Sequence, residues 1–290
     1  MGLSFTCVSG LGFFTRLSYP TLTNAPNSIT NPRLMLAVRN HAKGERVAQE
    51  FYTAYPNAKI HIYNCDLFHQ QDIFRFIEEF KKSNSKLDIL INNAGNFSTS
   101  HINTADGLES HLAVHVLAPY LLIKGLSPIM PASSRIINMS SSAVLAVRMS
   151  SKEDLVSMLT PRTGFCLFAG YCNAKFLQTL LTVHFSETIP NITVNAVHPG
   201  MVLTNIATHD PWANMIVNKI LVRFFPFLLR STDSAAQTTI AMALSDEFAR
   251  VNGAFYHDFQ SEPMTESLIK AIRSRDAQIV SLFCEQVAAK

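Results

Sequence analysis

The feature that most constrains this chain is a repeated alternation. Short runs that are almost wholly apolar are separated by stretches with helical spacing. Arg33–Arg39, Ala58–Tyr63, Leu87–Ile91, Arg135–Met139, Ile192–Val197 and Gly253–Tyr256 read as strands. Asn40–Tyr55, Gln70–Phe80, Gly107–Leu126, Ala169–Thr188 and Ser234–Leu244 read as the helices between them. A strand that is apolar on both faces must be covered on both faces. Strand–helix alternation of this kind predicts an α/β fold, a doubly wound parallel sheet. Leu3–Val8 is apolar enough to be a further strand at the front. No repeat or linker divides the chain, so its 290 residues are expected to form a single domain.

In such sheets ligands sit beyond the carboxyl ends of the strands. Polar clusters fall at those ends in succession: Asp66-Leu67, Asn92-Asn-Ala94-Gly95, Ser140-Ser141-Ser142 and His198-Pro199-Gly200. Each alone is an ordinary turn. Their recurrence at consecutive strand ends predicts a site there.

Bulk properties narrow the partner. The hydrophobic fraction is 48% and the net charge +3, which excludes a disordered chain. Lys and Arg are scattered without a basic block, so no nucleic acid partner is expected. The five cysteines form no C-x-x-C pair and read as reduced thiols. No run of eighteen apolar residues appears, and the start lacks a basic segment followed by an apolar one. The expectation is a cytoplasmic chain, with peripheral contact to a membrane left open.

Tyr171 and Lys175 stand four apart on one helix face. Using a Tyr as acid or base near neutrality requires its pKa to fall by about 3 units, roughly 4 kcal/mol. An ammonium about 5 Å away at an effective dielectric of about 20 supplies roughly 3 kcal/mol. The spacing alone is weak evidence, and its context decides. The order Asp66-Leu67, Asn92-Asn-Ala-Gly95, Arg135-Ile-Ile-Asn-Met-Ser-Ser141, Tyr171-x-x-x-Lys175, Asn195-Ala-Val-His-Pro-Gly200 and Thr204 resembles the short-chain dehydrogenase/reductase superfamily. The segment Leu36-Ala-Val-Arg39-Asn-x-x-Lys-Gly-Glu45 is similar to its retinol-dehydrogenase-type branch.

The resemblance implies a Rossmann-type fold and a nicotinamide cofactor. It implies Tyr171 as proton donor and acceptor, with Lys175 lowering its pKa and holding the ribose. Ser141 orients the carbonyl, with Ser140 and Ser142 as neighbouring candidates. Asp66 and Leu67 face the adenine, and Asn92, Ala94 and Gly95 line the cleft. Pro199, Gly200 and Thr204 close over the nicotinamide amide. A helix cap is the alternative role for Asp66 and Thr204. Arg39 stands where an acid would bind the ribose of NAD, which favours NADP(H) over NAD(H).

Two places depart from the family. Of its opening T-G-x-x-x-G-x-G only Ser9-Gly10-Leu11-Gly12 is retained, and Thr6 aligns with the first glycine. A β-carbon in that tight turn is expected to crowd the backbone or the cofactor. Pro20, Pro26 and Pro32 then break the helix expected next, so residues 1–32 form a divergent segment predicted to bind the cofactor weakly. In addition, His115 replaces the asparagine that anchors a water beside the lysine; it remains a catalytic candidate because imidazole can bond a water. His111 and His115 have metal-ligand spacing, but Leu112 stands where H-E-x-x-H has glutamate, so no metal is expected.

Residues 205–232, apolar from Trp212 to Leu229, are expected to cover the substrate. A homodimer face and an interfacial membrane helix are the competing readings. The sequence thus implies an NADP(H)-dependent oxidoreductase acting on a hydrophobic carbonyl or alcohol of retinoid, steroid or lipid type. The alternative is a non-catalytic protein of the same fold with impaired cofactor binding.

Overall fold

The computed structural model describes residues 4–8, 33–98, 100–161, 167–202, 229–257, 260–261 and 276–289. The strands are β1 Ser4–Val8, β2 Arg33–Val38, β3 Lys59–Asn64, β4 Ile89–Asn92, β5 Arg135–Met139, β6 Thr193–Val197, β7 Met201–Val202, β8 Leu229–Arg230, β9 Phe255–His257 and β10 Gln260–Ser261. Eight of them form one sheet in the order β10-β9-β6-β5-β4-β1-β2-β3. Pairing is parallel except for β10, which runs antiparallel to β9 at the edge. The fold is the expected Rossmann-type α/β arrangement, with β1 between β2 and β4.

Strand residues alternate between two cores, as the pleat requires. Met35, Ala37, Leu90 and Ile136 join the larger core. Leu34, Leu36, Val38, Ile89, Ile91, Ile137 and Met139 join the other. The helices are α1 His41–Ala54, α2 Gln70–Ser83, α3, α4 Lys152–Leu159, α5 Leu167–Thr188, α6 Thr232–Leu244 and α7 Asp276–Ala288. α3 begins at Ser110–Leu112, widens into a π-helical turn over Ala113–Leu117 and continues over Ala118–Leu126. π-helical turns inside α-helices occur mostly at functional sites.

The stretch Ser110–Ile129 is long and apolar enough to cross a membrane, a property the sequence reading had not credited to it. Its apolarity has a local explanation. Leu112, Val116, Leu121, Leu122 and Ile123 are all core residues.

Several expectations need correction. α3 starts at Ser110 instead of Gly107, because Gly107 has φ of +76° and lies outside helical geometry. The Phe255 strand is not the last element: β10 and α7 follow it. α4 and α7 had not been recognised. Thr6 does not sit in a turn. It is a ladder residue of β1, paired with Met35 on one side and Leu90 on the other, and the strand runs on to Val8. The crowding argument at position 6 therefore fails. Ser9, Gly10, Gly12, the proline-rich stretch, Thr204 and most of 205–232 lie outside the described residues. The described strands on either side of that segment, β7 and β8, pair in parallel, Met201 with Leu229 and Val202 with Arg230.

Candidate active site

Four predicted catalytic side chains meet at the carboxyl ends of β4 and β5. Tyr171 and Lys175 lie one turn apart on α5, and the Lys175 Nζ stands 5.9 Å from the centre of the Tyr171 ring. Ser141 follows β5 and caps the short turn after it, its Oγ accepting from the Ala143 N–H. The Ser141 side chain also lies near enough to the Tyr171 phenol to oppose the effect of burial on it. Of the three serines, Ser141 is the one whose hydroxyl acts on Tyr171. Ser140 is buried with its Oγ 2.9 Å from Thr179 Oγ1, so it braces α5 against β5. Ser142 is exposed.

His115 is fully buried in the π-helical turn, and its ring meets Tyr171 edge-on at 5.5 Å. Its Nε2 lies 2.9 Å from the Asn96 carbonyl. That bond requires the proton on Nε2, which leaves Nδ1 as an acceptor with no partner among the described residues. Burial, followed by the Lys175 charge, holds the imidazole well below its usual pKa.

The electrostatics correct one expectation. Lys175 was expected to lower the Tyr171 pKa. In the protein alone, burial pushes the Tyr171 phenol up to about 12, opposed by the Ser141 hydrogen bond. Burial also drives Lys175 down to about 7. A lysine that releases its proton near neutrality is a weak source of field at neutral pH and above. Its Nζ donates to the Met139 carbonyl at 2.6 Å and to Gln178 Oε1 at 3.3 Å.

Beneath these groups lies a polar network that the sequence reading missed. Asn92 Nδ2 donates to Asn138 Oδ1, and Asn138 Nδ2 donates to Thr182 Oγ1. Gln178, Thr179 and Thr182 are each about 1% exposed. They follow Lys175 at i+3, i+4 and i+7, so their common face was legible from helical spacing.

The remaining candidates flank the same end of the sheet. Arg39 directly follows β2, its guanidinium 5.9 Å from the centre of the Phe68 ring. The Asp66 carboxylate accepts from the Phe68 N–H, a local turn bond; the cap residue of α2 is His69, so Asp66 does not take the alternative role of helix cap. Leu67 is buried, and Ala94 packs against the same core. Gly95 is exposed just beyond β4. Gly200 has φ of +84°, a conformation that excludes most side chains at the turn into β7. Pro199 precedes it. These residues fit a nicotinamide dinucleotide: Asn92 keeps a buried, unpartnered Oδ1 at the strand end, and among the described residues no acid occupies the lysine.

Residues 30–151 match the short chain dehydrogenase family. The chain is 31% identical to retinol dehydrogenase 12 of Mus musculus over 232 residues, 78% of this chain and 70% of that one. It is 27% identical to the polyprenol dehydrogenase of Homo sapiens over 263 residues, 87% of this chain and 76% of that one. Among solved structures, a protein from Mycobacterium paratuberculosis superposes with a TM-score of 0.70 at 21% identity, covering 100% of this chain and 93% of that one. A metagenomic blue fluorescent protein, solved in complex with NADPH, superposes at 0.62 with 18% identity, covering 87% and 94%. The chain belongs to the short-chain dehydrogenase/reductase family of oxidoreductases, in its retinol-dehydrogenase-type branch.

Proposed function

We propose that this chain is an NADP(H)-dependent oxidoreductase that moves a hydride between nicotinamide and a hydrophobic carbonyl or alcohol. The observation that carries this reading is the convergence of Ser141, Tyr171 and Lys175 at the carboxyl end of the sheet. The bound nicotinamide supplies the hydride to the carbonyl carbon in reduction and accepts it in oxidation. Ser141 donates a hydrogen bond that holds the carbonyl oxygen. Tyr171 gives its hydroxyl proton to that oxygen as the alcohol forms, and takes it back in the reverse direction. Lys175, titrating near 7, gains or loses a proton at working pH and restores the phenol. The bare Nδ1 of His115 accepts a proton-path hydrogen bond on the lysine side.

Arg39 pairs with the 2′-phosphate, which distinguishes NADP(H) from NAD(H). Ser9, Gly10 and Gly12 would hold the pyrophosphate. Asp66 and Leu67 face the adenine. Asn92, Ala94 and Gly95 line the cleft, and Pro199, Gly200 and Thr204 close over the nicotinamide. The 205–232 segment covers the substrate, and the names retinol dehydrogenase and polyprenol dehydrogenase support a long apolar alcohol.

The test is cofactor titration by nicotinamide fluorescence, followed by turnover of retinoid- and steroid-type carbonyls. NADPH should bind at least about tenfold tighter than NADH, and Arg39→Ala should remove that difference. Failure of both cofactors to bind overturns the reading. The second reading, a dehydrogenase fold without turnover, is favoured by His115 in place of the family's asparagine. NADPH binding with no turnover of any carbonyl or alcohol would select it.

A further inference from the structure

Three aromatic rings surround Tyr171. Phe97 meets it at 5.4 Å, His111 at 6.1 Å and His115 at 5.5 Å, all near perpendicular. The two histidines project from α3, their rings stacked 11° from parallel. Phe97 comes from the segment after β4, and that segment is tied to α3 through the residues on either side of Phe97. Asn96 Nδ2 donates to Ser110 Oγ, the Asn96 carbonyl accepts from His115 Nε2, and the Ser98 N–H donates to His111 Nε2 at 3.2 Å.

The last bond depends on a buried carboxylate. Glu109 caps α3, with Oε2 accepting the N–H groups of His111 and Leu112. Its Oε1 accepts from Ser110 Oγ and lies 2.9 Å from His111 Nδ1. Burial pushes this carboxyl upward. The hydrogen bond from His111, with the two backbone N–H groups, opposes that, and the carboxyl sits below its ordinary value. An ionised Glu109 fixes the proton of His111 on Nδ1. Nε2 is then an acceptor, the only form that can take the Ser98 N–H. Both ring nitrogens are engaged, so His111 offers no lone pair to a metal.

We infer that His111, held in one tautomer by Glu109, is a positioning residue that fixes Phe97 as a wall of the substrate space beside Tyr171. This rests on the oxidoreductase reading only for the substrate. A cleft lined by His101, Glu109, His111, Met158 and Asn173 borders the clamped His111 ring. Phe97 packs edge-on against Tyr171, so a substrate brought to that hydroxyl would meet this ring, and its fit would depend on where the ring is held.

Three variants of the full chain separate this role from simple packing. His111→Leu removes both nitrogens. Glu109→Gln turns an amide N–H toward Nδ1 and drives the proton to Nε2, where it opposes the Ser98 N–H. His111→Gln keeps an acceptor near the Nε2 position. Amide hydrogen exchange at Ser98 should accelerate by about tenfold in the first two and return close to wild type in the third. In the same two variants KM for a long apolar carbonyl should rise by about tenfold while kcat stays within about twofold. Unchanged Ser98 exchange in His111→Leu and Glu109→Gln overturns the inference whatever the activity. Faster exchange with unchanged KM overturns the role of Phe97 as a substrate wall. If the wild-type chain turns over no substrate, the exchange data still decide the clamp, and the oxidoreductase reading alone is lost. Should His111→Leu fail to fold, the contrast between Glu109→Gln and His111→Gln carries the test.

Discussion

Replacing Lys175 with methionine should make the protein more stable, and should do so in a pH-dependent way. Lys175 is 4% exposed, and burial alone lowers it from 10.5 to about 7. The unfolded chain keeps the lysine proton up to about 10.5, while the folded chain releases it near 7. Between those values the unfolded state binds more protons, so stability rises with pH across the window. Below it, the cost of burying the ammonium is fully present: about 3.5 pKa units, or roughly 5 kcal/mol. At pH 9 about 1.5 units remain, roughly 2 kcal/mol. Methionine has similar length and no charge, but it leaves the Met139 carbonyl and Gln178 Oε1 without this donor. That loss takes back about 1–2 kcal/mol. Lys175→Met should therefore gain about 3 kcal/mol near pH 6, and the gain should shrink to under about 1 kcal/mol near pH 9. Urea unfolding of the cofactor-free protein at the two pH values measures it. A variant less stable than wild type at pH 6, or a gap that does not change with pH, refutes the reasoning. The lysine is then a group retained for function against stability.

Tyr171→Phe should abolish turnover and leave NADPH affinity within about twofold, since only the proton-bearing group is removed; wild-type turnover by this variant would end the proposed mechanism. Ser140→Ala should cost about 1 kcal/mol of stability through the lost Thr179 bond and keep turnover, whereas Ser141→Ala should lose turnover as well as the bond that caps the turn at Ala143, as unfolding curves and steady-state rates on both would reveal. Thr6→Gly, which restores the family residue in alignment, should weaken the protein by roughly 0.5–1 kcal/mol without tightening cofactor binding, because position 6 is a ladder residue; improved NADPH affinity would show that the turn begins earlier. Gly253→Ala should destabilise by about 1–2 kcal/mol, since its φ is +71° and the new carbon falls 2.7 Å from Ser186 Oγ; an unchanged denaturation midpoint would contradict this.

The sequence by itself determined the layering and the location of the site. A strand buried on both faces has to be apolar throughout, so β2, β4 and β5 announce themselves as continuous runs. The helices between them carry a different period. Polar clusters at the strand ends placed Ser141 at the site before any coordinates, because parallel strands present all their carboxyl ends on one side, and the family resemblance brought Tyr171 and Lys175 to it. β1 was legible for the same reason.

Tertiary structure decided what depends on pairing and burial. A gapless alignment put Thr6 in a turn, whereas the ladder to Met35 and Leu90 keeps it in β1, since register is set by neighbouring strands and not by local spacing. α7 was missed because its apolar positions match only a surface formed by other segments. The electrostatic roles were out of reach for a related reason. The sequence places a lysine four residues from a tyrosine, but desolvation, which moves the two groups apart to about 7 and about 12, depends on what surrounds them. The clamp from Glu109 through His111 to Ser98 joins residues that are neighbours only after the helix has docked on the sheet. Only the packed chain removes water from that carboxylate and makes its hydrogen bonds select a tautomer.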